Sequence, residues 1–213
     1  MTTFLLIRHG QSQANLDNIF AGHTDVPLTE LGQKQAKLTA DFIAENFVVD
    51  AVYASDLARA FATGEAAAKV FGLPITAHKG LREIYGGEWE QAHYPDLPVK
   101  YPKEFGVWLK DIGNAYCPSG ESVRELQERL VATLGEIANE NEGKTVVIAT
   151  HACAIRSVMS YCEQQGIEGM KDIPWVSNAS VTIVEVEDGK FLLKQAGLDE
   201  HLRDFSTVFG SGV

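Results

Sequence analysis

Apolar residues along the chain fall into two alternating patterns, one typical of strands and the other of helices. Short continuous apolar runs predict buried strands at residues 3–8, 50–55, 75–77 and 144–151. Segments with apolar residues at helical spacing predict helices at residues 31–47, 56–71, 121–141 and 155–165. Near the end of the chain, SVTIVEV and KFLLKQA flank Asp188-Gly189, a pair of residues typical of a β-hairpin turn.

Strands that alternate with helices are typical of an α/β fold. We therefore predict a three-layer sandwich, in which a mostly parallel central sheet has helices on both faces. A length of 213 residues fits one large domain, and no linker, repeat or low-complexity tract divides the chain. Residues 1–213 are accordingly predicted to form a single domain, with a loop of about twenty residues after the first strand.

The segment 86–119 interrupts this alternation. It contains four of the seven prolines and the aromatic residues Trp89, Tyr94, Tyr101, Phe105, Trp108 and Tyr116. Loops of this length without structure of their own are uncommon in compact domains. We predict a small inserted cap that contains a short helix near residues 103–112.

Composition and charge narrow the classes of function. The apolar share of 45% and the charged share of 22% are typical of a globular protein. A net charge of −11 argues against broad binding to nucleic acid or to anionic membranes. The three cysteines form no CxxC pair, which argues against a zinc site or a disulfide framework. No apolar run approaches the roughly 18 residues of a membrane span, and the N-terminus lacks the features of a signal peptide, so a cytoplasmic protein is expected.

Polar side chains with suitable chemistry follow three of the predicted strands. Arg8-His9-Gly10 follows the first, Ser55 and Arg59 follow the second, and Thr150-His151 follows the strand at 144–151. Ligands of such sheets bind beyond the carboxyl ends of the strands. Helix N-termini and the planar fork of arginine both suit phosphate. The pattern therefore indicates an anion site, although each histidine could be structural and each arginine could pair with one of the 29 acidic residues.

A family resemblance favours the anion site. RHGQSQAN resembles the signature R-H-G-[EQ]-[ST]-x-x-N of the histidine phosphatase superfamily, the phosphoglycerate mutase-like family. The resemblance continues, in family order, through GHTDVPLTELGQKQA (22–36), SDLARAFAT (55–63), LREIYGGEWE (81–90) and THACAIR (150–156). Five ordered motifs are far more specific than one RHG triplet.

The resemblance implies a role for each matching residue. His9 would attack phosphorus and become a phosphohistidine, while Arg8, Arg59 and His151 would neutralise charge on the phosphoryl oxygens. Glu83 would act as general acid and then as general base, which requires a pKa above the usual value of about 4.3. The substrate-binding residues implied are Arg8, Asn15, Ala21, Gly22, His23, Arg59, Glu83, His151 and Ala152. No metal and no cofactor are implied.

The expected activity is a phosphatase that acts on a small phosphorylated metabolite. Residues 20–30 also resemble the mutases of the family, so a cofactor-dependent phosphoglycerate mutase is the alternative. However, the mutases carry a longer insertion rich in arginine and lysine, whereas the segment 83–123 here contains no arginine. A catalytically idle member that binds a phosphorylated ligand is a third alternative, and a homodimer is left open.

One position departs from the family pattern. The family usually has glycine after its second histidine, and here the residue is Ala152. A Cβ at this position would be strained if the backbone required a positive φ. The sequence alone therefore does not determine the geometry of the backbone N–H donor at residue 152.

Overall fold

The computed structural model describes residues 1–163 and 166–207. One sheet contains six strands, in the order β3-β2-β4-β1-β5-β6. In chain order the strands are β1 (Thr2–Arg8), β2 (Ala51–Ala54), β3 (Ile75–Ala77), β4 (Thr145–Thr150), β5 (Val181–Glu187) and β6 (Lys190–Leu198). The predicted strands and the terminal hairpin are confirmed, with boundaries that shift by one or two residues.

The sheet is mostly parallel, as predicted. β1 pairs with β4, β4 with β2, and β2 with β3, all in parallel. β5 and β6 add an antiparallel edge beside β1. Asp188 and Gly189 connect these last two strands with φ values of 50° and 74°, the left-handed conformation that a two-residue hairpin turn requires.

Seven α-helices occur in the described part of the chain. They are α1 (Gln13–Leu16), α2 (Glu30–Asn46), α3 (Ala58–Phe71), α4 (Leu97–Lys100), α5 (Glu104–Lys110), α6 (Val123–Glu140) and α7 (Ala152–Cys162). The Thr29 side chain accepts from the Gly32 N–H and caps the N-terminus of α2. The predicted helix at 155–165 begins three residues earlier, and its last two predicted residues lie outside the described range.

Alternating side chains of the central strands face two separate apolar cores. Leu5 and Ile7 of β1 pack with residues of α2 and α3 on one face. Phe4 and Leu6 pack on the other face with α6, α7 and the residues of the cap. Every second residue of a strand points to the same face, so β1 contributes to both cores. The three-layer α/β sandwich is therefore confirmed.

Two irregular segments are more ordered than a loop prediction suggests. The segment after β1, predicted as a loop, contains the single turn α1, which Ser12 caps. The cap at 86–119 contains α4, α5 and several 3-10 turns, and α5 spans less than the predicted 103–112. Trp89 and Phe105 of the cap are buried in the core that they share with α6. The cap is thus packed onto the sandwich.

Candidate active site

The three strand ends with polar side chains lie next to one another. β4 is between β1 and β2 in the sheet, and Arg8 stands opposite Thr150 in register. The His9 N–H donates to the Thr150 carbonyl, and the Ser55 N–H donates to the Ala149 carbonyl. The sheet therefore brings His9, Ser55 and His151 to one edge, as expected for neighbouring parallel strands.

The ring of His9 is held in one tautomer. Its Nδ1 lies 2.7 Å from the Gly10 carbonyl oxygen. A carbonyl only accepts, so Nδ1 carries the proton and Nε2 keeps its lone pair. Burial, with Arg59 and Arg8 nearby, lowers the pKa of His9 well below its usual value. The ring is therefore neutral at physiological pH, which is the state that a nucleophile needs.

Close packing fixes the backbone around this histidine. The Gly10 N–H donates to Thr63 Oγ1 over 3.1 Å. A Cβ at Gly10 would collide with the backbone of Gly32 at the start of α2. Glycine is therefore required at this position by the close approach of another backbone segment. This close approach explains why the third residue of the RHG triplet is glycine.

Two buried arginines supply the positive charge. Arg8 and Arg59 are each only 1% exposed. Arg8 Nη1 donates to the Val176 carbonyl over 2.6 Å, and Arg59 donates to the carbonyls of Gly22 and Thr24. Burial lowers the pKa of Arg8 to about 10 and also lowers that of Arg59, and nearby Glu83 partly opposes both shifts. Both guanidinium groups stay charged at neutral pH, which makes the site attractive to an anion.

His151 is fully buried beside His9. The ring centroids are 5.2 Å apart, and the planes meet at 64°. His151 Nε2 lies 2.9 Å from Ser55 Oγ, which also accepts from the Leu57 N–H. Ser55 can donate its own proton to Nε2, and Nδ1 of His151 is then protonated. That Nδ1 is buried without a hydrogen-bond partner among the described residues.

Burial also keeps the second ring neutral. It lowers the pKa of His151 well below the usual value, and the positive charge of Arg59 adds to this. If Ser55 donates its proton to Nε2, His151 is a neutral ring whose N–H is at Nδ1. The sequence suggested a charge stabiliser at this position, and in this tautomer the free protein has a neutral hydrogen-bond donor there.

The side chain of Glu83 contacts the N-terminus of α7. Its Oε2 accepts from the Cys153 N–H over 3.1 Å, and its Oε1 accepts from Ala154 and from Ile84. Burial raises the pKa of Glu83, whereas these backbone donors and the two arginines lower it. Desolvation is the largest contribution, so the carboxyl group keeps its proton to a higher pH than an exposed glutamate does.

The implied substrate contacts divide into three groups. His151 is not among the residues that line the cavity of His9, although the two rings pack against each other. Arg8, Asn15, Ala21, Gly22, Arg59, Glu83 and Ala152 line the same cavity as His9. His23 instead lines a neighbouring surface depression, where its Nε2 lies 2.8 Å from the Glu83 carbonyl oxygen. His23 thus contacts the backbone of the proposed acid.

The backbone conformation at Ala152 shows whether its Cβ is strained. Ala152 is the first residue of α7 and is buried, at 2% exposure. It is not among the residues with positive φ. An alanine therefore fits this position without backbone strain, and the first turn of α7 keeps its N–H donors.

Asn178 is a functional candidate that sequence reasoning did not single out. Its Nδ2 donates to the His9 carbonyl over 3.0 Å and to Asn15 Oδ1 over 3.2 Å. Asn15 Oδ1 also accepts from Ser12, so the Nδ2 donors of Asn15 are the part of that side chain suited to a ligand. The only signal in the sequence was the family-like stretch SNASVTIVE (177–185).

The cavity has a water-accessible volume of about 40 Å³, and its lining residues are of two kinds. The basic side chains Arg8, His9 and Arg59 are the first kind. The second kind is apolar or aromatic and comprises Ile19, Phe20, Ile84, Tyr94, Cys153, Trp108 and Trp175. The first kind suits a phosphoryl group and the second an uncharged organic group.

Residues 1–163 and 166–207 contain neither a cluster of metal-binding side chains nor a helix that could cross a membrane. No group of three or more metal-binding side chains converges at any point of residues 1–163 and 166–207. No helix within these ranges has the length and apolar character needed to cross a membrane. Cys153 is a buried free thiol whose pKa is raised by burial.

Comparisons with known proteins identify the family. A model of the histidine phosphatase superfamily (branch 1) matches residues 4–199. Phosphoserine phosphatase 1 of Hydrogenobacter thermophilus is 27% identical over 206 residues, covering 96% of each chain. Phosphoglycerate mutase-like protein 4 of Arabidopsis thaliana is 28% identical, covering 94% of this chain and 86% of that protein. The solved structure of Bacillus stearothermophilus YhfR has a TM-score of 0.90 at 28% identity, covering 95% of this chain and 100% of its own.

These matches extend over nearly the whole chain and are consistent with the geometry of the strand edge. They support a phosphatase activity and confirm the family that the ordered motifs suggested. The chain belongs to the histidine phosphatase superfamily, branch 1.

Proposed function

We propose that the protein is a metal-independent phosphomonoesterase that acts on a small phosphorylated metabolite through a phosphohistidine at His9. The observation that carries this proposal is the contact between His9 Nδ1 and the Gly10 carbonyl, at 2.7 Å. It leaves the lone pair on Nε2, in a neutral ring beside two buried arginines. Such an arrangement suits attack on phosphorus.

In the first step, Nε2 of His9 forms a bond to phosphorus while the bond from phosphorus to the ester oxygen breaks. Protonated Glu83 gives its proton to that oxygen, and the product leaves as an alcohol. Arg8, Arg59 and His151 Nδ1 stabilise the charge on the three other phosphoryl oxygens. Positioning and electrostatic stabilisation supply most of the catalysis in phosphoryl transfer.

In the second step, the Glu83 carboxylate takes a proton from water, and the water oxygen attacks the phosphohistidine. The bond between phosphorus and Nε2 breaks, and inorganic phosphate leaves. His9 returns to its neutral state with the proton on Nδ1, and Glu83 is again protonated. Both residues finish as they began, so the cycle needs no further proton donor.

The apolar side chains that line the cavity favour water as the final acceptor of the phosphoryl group, and not a second phosphorylated acid. A mutase must hold a phosphoglycerate that carries a carboxylate and a second phosphate. None of the cap lysines Lys100, Lys103 and Lys110 is among the residues that line the cavity. Its basic residues are already grouped around one phosphoryl position. A small or partly apolar ester is the substrate that this cavity fits best.

Turnover of an aryl phosphate in the presence of a metal chelator tests the proposal. We expect phosphate release by the wild type and a phosphoenzyme trapped by a rapid quench in alkaline denaturant, where the P–N bond of phosphohistidine is stable, identified by mass as one phosphoryl group on His9. The His9→Ala variant should give neither. Binding of phosphate without any hydrolysis would indicate an idle ligand-binding member and would overturn the proposal.

The mutase alternative rests on the resemblance of residues 20–30 to the mutases of the family. It is tested with 3-phosphoglycerate and a bisphosphoglycerate primer. Phosphate release should be faster than isomerisation if the protein is a phosphatase. The opposite ratio would establish mutase activity on the same His9 site.

A further inference from the structure

The proposed general acid is on a segment without helix or strand structure. Glu83 lies between two 3-10 turns, at residues 79–81 and 87–89. A general acid must come within hydrogen-bond reach of the oxygen that it protonates. Catalytic groups on loops are less well positioned than those on helices or strands, unless surrounding residues fix them. The contacts that hold this segment are therefore of functional interest.

Arg129, on α6, binds three carbonyl groups of that segment. Its Nη1 donates to the carbonyls of Gly80 and Arg82 over 2.8 and 3.1 Å. Its Nη2 donates to the carbonyl of Glu83 over 3.2 Å. The planar, rigid guanidinium group thus connects one regular helix to successive points of the loop.

Glu121 completes this arrangement from the other side. Its Oε1 accepts from Arg129 Nε over 3.0 Å, and its Oε2 accepts from Arg129 Nη2 over 2.9 Å. Its Oε2 also accepts from the Tyr85 N–H, and its own N–H donates to the Tyr85 carbonyl. The Arg129 and Glu121 side chains are only 25% and 15% exposed, so this pair is less screened than a surface ion pair.

We propose that Arg129, with Glu121, is a positioning residue for the general acid Glu83. Neither residue lines the cavity that contains His9, so neither touches the substrate. They act through the loop backbone, whose position decides whether the Glu83 carboxyl stays against the first turn of α7. The inference rests on the proposed phosphatase function, and it assigns a role that the RHG and LREIYGG motifs do not contain.

A comparison of leaving groups separates this role from a purely structural one. Nitrophenolate is a stable anion and leaves 4-nitrophenyl phosphate without needing a proton, whereas benzyl phosphate releases an alkoxide that does need one. A displaced Glu83 should therefore affect only the second substrate. We expect Arg129→Met to lower kcat/KM for benzyl phosphate about 10²-fold, and for 4-nitrophenyl phosphate by less than about 3-fold. The ratio kcat/KM is measured because it ends at phosphoenzyme formation.

Two further variants make the result specific. Arg129→Lys keeps the charge but loses the fork, and it should show the same selective loss. Arg124→Met is the matched control, because Arg124 is on the same helix and pairs with exposed Glu168; it should leave both substrates unaffected. In Glu83→Gln, which lacks the acid, adding Arg129→Met should cause little further loss with benzyl phosphate.

Three outcomes would overturn or redirect the inference. Equal losses with both substrates would make Arg129 a purely structural residue, and no loss with either would remove it from the mechanism. If Arg129→Met fails to fold by circular dichroism, Glu121→Gln takes its place, with a smaller loss of the same selectivity expected. If the wild type hydrolyses neither ester, the proposed function fails, which is distinct from a failure of the positioning role.

Discussion

The two buried histidines occupy equivalent places at the ends of adjacent parallel strands, yet their rings are held differently. His9 has its Nδ1 bound to a carbonyl, whereas His151 has its Nε2 bound to the hydroxyl of Ser55. After His9 the chain enters an irregular segment, whereas after His151 the helix α7 begins at once. The two junctions share a sequence pattern and differ in which ring nitrogen is available.

In the proposed mechanism this difference gives the two histidine side chains different chemistry. A ring with a free lone pair can form a covalent bond to phosphorus, whereas a ring whose available nitrogen carries a proton can only donate. The partner of the other nitrogen decides between these states.

Replacing the nucleophile should have the largest effect. We expect His9→Ala to lower kcat/KM by about 10⁴-fold or more, because no other group can form the covalent intermediate. Stopped-assay phosphate release with an aryl phosphate measures the loss. Binding of phosphate should persist, since both arginines are retained. Activity within about 10-fold of the wild type would show that His9 is not the nucleophile.

Changing the pH should act on the acid and on the nucleophile in opposite directions. Glu83 must be protonated in the first step, so kcat/KM for benzyl phosphate should fall as pH rises through its elevated pKa. His9 must be neutral, and its lowered pKa places the corresponding acidic loss well below pH 6.5. In Glu83→Gln the alkaline loss should disappear, with a rate about 10²- to 10⁴-fold lower. An unchanged alkaline loss in that variant would assign it to another group.

The sequence predicted which residues follow the ends of the strands better than it predicted the hydrogen bonds that hold those residues in place. Apolar runs and turn residues are local signals, so the six strands and the Asp188-Gly189 turn were predictable. The predicted convergence of Arg8, Arg59, His9 and His151 follows from parallel strand order. In contrast, Asn178 contacts the His9 carbonyl from 169 positions away, and no local pattern predicts such a bond.

The segment containing α1 and the cap show the same limit. α1 is one turn, too short for a periodic pattern to reveal. The sequence showed that the cap is rich in aromatic residues, and in the structure Trp89 packs in the core whereas Trp108 both packs there and lines the cavity. Composition alone does not show whether an aromatic ring packs in the core or lines the cavity, because this depends on the residues that surround the ring in the fold.

Removing the second histidine should have a smaller effect than removing the first. We expect His151→Ala to lower kcat/KM about 10²- to 10³-fold, the usual cost of losing one donor to a developing charge. Enzyme quenched in alkaline denaturant should still carry a phosphoryl group on His9, because the nucleophile is intact. Ser55→Ala is the milder companion, since it removes only the partner of Nε2. Loss of the phosphoenzyme in His151→Ala would contradict the division of roles between the two rings.

The smallest effect is expected at Ala152, where the second junction departs from the family pattern. Ala152 begins α7 in an ordinary helical backbone, so its N–H is already oriented and a glycine gains nothing in geometry. Ala152→Gly should change kcat/KM by less than about 3-fold, and added backbone freedom should reduce the free energy of unfolding by roughly 0.5 kcal/mol. Kinetics and thermal unfolding of the same preparation measure both. A 10-fold gain in activity would mean that the Cβ obstructs the phosphoryl group, and the two junctions would then differ in steric access as well as in ring orientation.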